Sequence, residues 1–317
     1  MTANDGNGWT RCSQGHRHWG RHGAAGLLVS APDQAERTTV LLQQRSMWGS
    51  HSGTWSPPGG ARDSHESAVH AALREAAEEC AVVPAMVSVH GLMQDDHGDW
   101  TFMTVLANVA APLAVTAASG ETRAVAWVPV DDVSKLMLHP GFAAQWPALR
   151  EVLAPLTIIV DAANVMGARP DGWWRDRAGA AVRLCDELAG VELRGVRELP
   201  GSVGLPALEL WFPQIVVVLE GAARAAADHF ESAARDQSAA AAGRGAAERR
   251  LMIERQAVAE HRIEVVRAPG SGDDEIARLA AKLGGYCLVV TADRDLQARC
   301  LAAGASVIGP RWLLDLL

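Results

Sequence analysis

The chain has 317 residues, 49% of them hydrophobic, and a formal net charge of −8, enough for two ordinary domains that each bury a core. The acidic balance excludes a protein that is basic over its whole surface, although a local basic patch remains compatible with it, and no apolar run approaches the length of a membrane span. No basic-then-apolar leader opens the chain, and five unevenly spaced cysteines (Cys12, Cys80, Cys185, Cys287, Cys300) do not form a disulfide framework, so a cytoplasmic location is expected.

Residues 1–22 are a polar lead-in in which Cys12, His16, His18 and His22 lie close together. A structural zinc site needs four ligands in a closed tetrahedral set. One cysteine with loosely spaced histidines is a weak signal for that, and surface histidines beside a strand are the expectation. The apolar runs AAGLLVS (24–30) and TTVLLQQ (38–44) flank the turn-forming APDQAER and predict a hairpin that ends at Gln43 and Arg45. In the next stretch, WGSHSGTWSPPGG, Trp48 and Trp55 fit either core packing or a pocket for a base. Gly59 and Gly60 permit a close backbone approach there.

Residues 60–82, GARDSHESAVHAALREAAEECAV, carry the most chemistry. Asp63 or Ser64 is the expected cap of a helix over about 64–80, with Glu66 in its first turn. Val69, Leu73, Ala76 and Cys80 fall on one side, and Glu75, Glu78 and Glu79 fall together roughly opposite. Three carboxylates at this spacing repel one another unless a cation lies among them, and oxygen-only ligation suits Mg²⁺ or Mn²⁺. Arg74 is placed to pair with Glu78 four residues on.

The spacing resembles the Nudix box: Gly60, five residues, Glu66, seven residues, then Arg74-Glu75-Ala76-x-Glu78-Glu79-x-Ala81-Val82. Every charged position is present; Ala81 stands where the family usually has glycine, which bears on loop geometry and not on metal ligands. The resemblance implies an α/β/α sandwich with a mixed sheet. It also implies metal-assisted hydrolysis of a diphosphate linkage in a nucleoside diphosphate joined to another moiety. Glu78 and Glu79 would be the principal ligands, Glu75 a ligand or base, Arg74 an organiser and Glu66 a support. Arg45 and Trp55 are candidate substrate contacts, and Trp48, Trp100 and the 94–100 turn are candidates for substrate choice.

Beyond the box, MVSVHGLMQD and TFMTVLANVA predict two strands joined by a turn at DDHGD. Glu121, shortly before Trp127-Val128-Pro129, resembles a glutamate common in Nudix domains and is a candidate further ligand or base. Residues 139–153 predict a last helix, and 154–156 a hinge. The domains expected are therefore 1–153 and 154–317.

In the second half, TIIVDAANV (157–165) predicts a buried strand. It is followed by a helix near 177–188, the strand IVVVLE (215–220), a long Ala/Arg-rich helical stretch over 222–260, and the strand IEVVRA. A helix over 273–283, the strand YCLVVTA, another helix and ASVIGP complete the chain. Alternating β and α elements imply an α/β domain with a doubly wound parallel sheet, whose crevice lies outside the carboxyl ends of the strands. Asp161, Glu220, Asp273, Asp274, Asp293 and Asp295 all fall at that edge, as a divalent-metal site would require. Trp173 and Trp174 lie between Arg169 and Arg175, the combination that stacks bases and meets phosphates, or else a packed cover over the sheet.

VDAANVMG, GSGDDEI and VVTADRDL resemble strand-end motifs of the NYN branch of PIN-like nucleases, especially the YacP-like endoribonucleases. That resemblance implies Asp161, Asp273 and Asp293 as metal ligands, Asn164 as a positioning residue, and Asp274 and Asp295 as reserves. The combined reading is a nucleotide hydrolase fused to a metal-dependent ribonuclease acting on RNA, including ribosome-bound message. The alternative keeps one active domain, with the second half an RNA-binding module or the first a nucleotide-sensing regulator.

Overall fold

The structure, a computed structural model, describes residues 4–47, 51–230, 263–283 and 286–317. The chain gathers into two compact units, Met1–Ala154 with Pro206–Leu210, and Pro155–Leu205 with Trp211–Leu317.

The first unit opens with a short hairpin, β1 (Trp9–Arg11) and β2 (Arg17–Trp19). Its main sheet is built from β3 (Ala24–Pro32), β4 (Thr38–Arg45), β5 (Trp55–Ser56), β6 (Gly59–Ala61), β7 (Ser88–Asp96), β8 (Thr101–Asn108) and β9 (Thr122–Pro129). The order runs from the two-residue strand Leu210–Trp211 through β7, β8, β3, β4 and β5, with β6 also on β3 and β9 also on β4. The β3–β8 pair is parallel, and β3–β4, β4–β9 and β7–β8 are antiparallel, so the sheet is mixed. Central β3 is buried along almost its whole length, as an uninterrupted AAGLLVS run requires. β6 hugs it so closely that a Cβ at Gly59 would lie 2.6 Å from the Ala25 carbonyl oxygen.

Helix α1 (Ala68–Cys80) packs on β3, β6 and β8 through Val69, Leu73, Ala76 and Cys80. It starts later than the sequence predicts: Ser67 is the cap, its hydroxyl accepting from the His70 N–H at 3.1 Å. Asp63 is occupied otherwise, accepting from the N–H groups of Asn4 and Gly6 at 2.8 and 2.9 Å. Glu66 therefore precedes the helix instead of lying in its first turn. At the other end Ala81 adopts a left-handed conformation (φ 57°, ψ 29°) and its N–H reaches the carbonyls of Ala76 and Ala77. The expected helix over 139–153 is shorter: after α2 (Val130–Val133), α3 spans Pro140–Leu149 and tightens into a 3₁₀ turn at Arg150–Val152.

Among the described residues the second unit holds a five-stranded, all-parallel sheet. Its strands are β10 (Leu156–Asp161), β12 (Gln214–Leu219), β13 (Glu264–Arg267), β14 (Tyr286–Val290) and β15 (Ser306–Ile308), the strand Leu210–Trp211 being β11. The order β13-β12-β10-β14-β15 reverses direction between β10 and β14, and a crevice opens at such a reversal in doubly wound sheets. Among the described helices are α4 (Ala162–Gly167), α5 (Arg177–Arg194), α6 (Gly272–Lys282), α7 (Arg294–Ala302) and α8 (Pro310–Leu314). The run TIIVDAANV is not one strand. It stops at Asp161, whose carboxylate accepts from the Asn164 N–H at 3.1 Å and so caps α4. Most of the Ala/Arg-rich stretch, from residue 231 to 262, lies outside the described residues, as does Trp48.

Candidate active site

In the first unit the acids of α1 meet β4 and β6. Arg74 is the hub. Its Nε and Nη2 donate to the two oxygens of Glu66 at 2.8 and 2.9 Å, its Nη1 donates to Glu75 at 2.7 Å, and Nη2 also reaches the Ala61 carbonyl at 3.0 Å. The expected Arg74–Glu78 pair is the weakest of these, at 3.4 Å, because the buried Glu66 offers the guanidinium a planar, two-point partner. Burial opposes the charge on Glu66, yet the bonds from Arg74 and from the Asp63 N–H hold its carboxyl below the usual range. Glu66 in turn raises the already high pKa of Arg74.

The three box carboxylates sit in different surroundings. Glu78 is open, its side chain 61% exposed. Glu75 is half-buried, and burial, with help from the charges of Glu78 and Glu121, pushes its carboxyl up. Glu79 is buried, which the opposite-face reading did not anticipate. Its Oε2 accepts from Gln43 Nε2 at 2.6 Å and from the Gly59 N–H at 2.8 Å. Burial nevertheless pushes Glu79 up to about 7. A Cβ at Gly60 would lie 2.6 Å from Glu75 Oε1, so the glycine leaves the carboxylate room against the β6 backbone. These are the hard oxygen donors that Mg²⁺ or Mn²⁺ takes. Among the described residues, the groups of three or more potential ligands whose atoms all lie within 4.8 Å of one another are elsewhere.

The other candidates divide. Glu121 is exposed but near enough for its charge to act on Glu75, and its carbonyl accepts from the Ser46 N–H at 2.8 Å. Arg45 is near enough to act on Glu79. Trp55 is half-buried on β5, its N–H donating to the Met137 carbonyl at 2.8 Å. Trp100 is buried in a small cluster with Cys12 and Ala24, which removes it from the substrate-choosing positions. Gln43 and Thr122 were not singled out by the sequence. Thr122 Oγ1 donates to Gln43 Oε1 at 2.6 Å, which aims the Gln43 amide at Glu79. A glutamine on the buried face of an apolar strand was the available signal.

In the second unit the carboxyl ends of β10, β12, β13 and β14 bring acids together. Asp161 is buried; its Oδ2 accepts from Asn164 Nδ2 at 2.6 Å and from Thr291 Oγ1 at 2.7 Å. Thr291 Oγ1 also accepts from the Asp293 N–H at 3.1 Å, so one hydroxyl joins two of the acids. Burial, then the charges of Asp161, Asp293 and Glu220, push the Asp273 carboxyl up. Glu220 accepts from the Gly272 N–H at 2.8 Å. Asp293 also caps α7, accepting from the Leu296 N–H at 2.8 Å. Asp274 instead pairs with Arg299 at 2.8 Å, and Asp295 is exposed in the first turn of α7.

The expected Trp–Arg combination is arranged differently. Trp173 and Trp174 meet edge to face at 6.4 Å, Trp174 is exposed, and the cation over the Trp173 ring is Arg177 at 5.4 Å. Arg169 is engaged with Glu187 at 2.5 Å.

A mixed sheet with Gly60 on β6 beside Glu75, Glu78 and Glu79 on α1 defines an α/β domain with a carboxylate-lined site, and the comparisons give its family. The NUDIX domain profile matches residues 20–152. A Mycobacterium tuberculosis protein whose assignment as 8-oxo-dGTP diphosphatase 3 is provisional is 43% identical over 160 residues, covering 49% of this chain and 72% of that protein. The chain belongs to the Nudix family. A nucleoside triphosphate pyrophosphatase/Nudix hydrolase fusion protein of Bifidobacterium longum is 37% identical over 146 residues, 45% of this chain and 30% of its own. The crystal structure of the Nudix hydrolase RenU from M. smegmatis is 43% identical and covers 46% of this chain and 94% of its own, with a TM-score of 0.44.

Proposed function

We propose that the first unit hydrolyses a diphosphate linkage in a nucleoside diphosphate-X substrate with Mg²⁺ or Mn²⁺ held by Glu75, Glu78 and Glu79. The observation that carries this is the Glu75 carboxylate against Gly60, flanked by buried Glu79 and open Glu78 and steadied by Arg74. A bound divalent cation neutralises pyrophosphate oxygens and lowers the pKa of the attacking water. Glu75 is either a third ligand of that cation or the base that takes up the proton the water gives up. Glu66 fixes the Arg74 guanidinium, which in turn steadies Glu75, and Arg45 and Trp55 contact the nucleotide. The provisional assignment of the mycobacterial relative makes an oxidised purine nucleoside triphosphate the first substrate to test. Release of phosphate or pyrophosphate should be screened over nucleoside triphosphates, oxidised nucleotides, dinucleoside polyphosphates and nucleotide sugars. Glu78→Gln, on an exposed side chain, should abolish hydrolysis and leave the circular dichroism spectrum intact. Unchanged turnover removes the assignment.

A second reading concerns the second unit, an NYN/PIN-like endoribonuclease in which Asp161, Asp273 and Asp293 hold divalent metal. Asn164 positions Asp161, and Trp173 and Trp174 offer stacking surfaces to RNA. Its support is the convergence of four carboxylates at the reversal of strand order. Full-length protein incubated with RNA and Mn²⁺ should cleave, Asp161→Asn should not, and Glu78→Gln should still do so. Failure of the wild type on single-stranded, structured and ribosome-bound RNA rejects it. Both activities fit a cytoplasmic protein.

A further inference from the structure

Four metal-binding side chains converge away from both acid sites. Cys12, His16, His18 and His97 each offer one ligand atom, and these atoms all lie within 4.8 Å of one another. Cys12 and His16 lie in the turn of the β1–β2 hairpin, His18 on β2 and His97 in the turn between β7 and β8, so residues far apart in sequence close one set. His22, grouped with them in the sequence, takes no part. We propose that Cys12, His16, His18 and His97 bind a structural Zn²⁺ ion that clasps the β1–β2 hairpin to the β7–β8 turn.

The donor chemistry selects zinc. One thiolate with three imidazoles is a soft-to-borderline set for a tetrahedral ion, and four protein ligands leave no open position for catalysis. His16 Nδ1 and His97 Nδ1 stand 3.4 Å apart. Two nitrogens on one tetrahedral zinc are also about 3.4 Å apart, given the usual metal–nitrogen bond length. The other ring nitrogen of His97, Nε2, faces Asp95 Oδ2 at 3.4 Å. A carboxylate there fixes the ring orientation of a ligating histidine. His18 Nε2 is buried without a hydrogen-bond partner among the described residues, as a metal-binding nitrogen would be before the ion arrives.

The surroundings are built rather than accidental. Cys12 is buried, 5% exposed, and the His18 ring stacks flat on Trp100 at 3.9 Å. Trp100 Nε1 donates to the Gly20 carbonyl at 2.7 Å and thereby holds the end of the hairpin. The Cys12 N–H donates to the His16 carbonyl at 3.0 Å, and Gly15, at φ +86°, turns the chain between them. From the other side Ser13 donates its N–H to Asp99 at 2.7 Å and its hydroxyl to the His97 carbonyl at 3.3 Å. The two turns are thus already docked where a metal would cross-link them.

The test uses full-length protein without a histidine tag, dialysed against chelator-treated buffer. Elemental analysis should find one zinc retained per chain, and cobalt reconstitution should give a thiolate-to-cobalt charge-transfer band. Cys12→Ser should lose the band, and His97→Ala should lose most of the zinc. His97→Cys should keep the metal and strengthen the band, which protects the result against a variant that merely misfolds. His22→Ala and Glu78→Gln should retain wild-type zinc, separating this site from the acids of α1. A wild type with neither zinc nor the cobalt band overturns the proposal, as does a His97→Ala protein with undiminished zinc.

Discussion

Arg74 grips Glu66 through two parallel hydrogen bonds, Nε to Oε1 at 2.8 Å and Nη2 to Oε2 at 2.9 Å, while its remaining nitrogen reaches Glu75. The Glu66 side chain is fully buried in this pair. Removing one partner leaves a buried charge uncompensated, and Arg74→Met should cost about 3–5 kcal/mol in urea-induced unfolding. Arg74→Lys should fall between Met and wild type, since an ammonium cannot reproduce the two-point fork. Lysine as stable as arginine would show that the charge alone matters.

Glu79 predicts a pH dependence. Burial holds its carboxyl at about 7 in the fold, well above the value of about 4.3 expected for an unfolded glutamate. Between those two values the native chain keeps a proton that the unfolded chain has released. Stability of the metal-free protein therefore falls as pH rises through that window, and the loss is complete above about pH 7. Glu192, pushed up to about 8 by burial, acts in the same direction. Glu79→Gln isolates the share of Glu79: its melting temperature should fall less between about pH 5 and pH 8 than that of the wild type. Added Mg²⁺ should raise the wild-type melting temperature more at the higher pH, where the carboxylates are ionised.

Ala81 occupies a left-handed conformation at the end of α1 that costs an L-residue roughly 1 kcal/mol relative to glycine. Glycine gives back part of that through its freer unfolded chain. Ala81→Gly should raise stability by about 0.5 kcal/mol or leave it level, and Ala81→Val should lower it clearly. Thermal melts of the two variants check the order.

Thr291 hydrogen-bonds Asp161 with its hydroxyl and accepts from the Asp293 backbone. Thr291→Val keeps the shape and removes both bonds, leaving a buried carboxylate short of a donor. A destabilisation of about 1–3 kcal/mol is expected, with nucleotide hydrolysis by the first unit unchanged. A hydrolysis rate that falls in parallel would contradict that separation.

The sequence was most readable where chemistry forces fixed spacing. The acids of α1 and the parallel strand runs of the second half declare themselves through local periodicity. What stayed hidden depends on contacts between distant segments. Glu66 looked like a first-turn acid because nothing local shows that Asn4 and Gly6 occupy Asp63. TIIVDAANV looked like one strand because its apolar composition does not report that Asp161 turns back to cap α4. His97 could not be grouped with Cys12 before the fold brought the β7–β8 turn to the hairpin.

Pro206–Leu210 belongs to the first unit although it follows the start of the second by some fifty positions. The Glu209 N–H donates to the Leu92 carbonyl at 2.9 Å, and Leu208 lies where a Cβ on Gly91 would meet it at 2.6 Å. Truncation after residue 154 would therefore strip a strand from β7 and leave its backbone groups as an open template for another chain. An early stop codon ahead of residue 206 is thus a route to aggregation of the first unit.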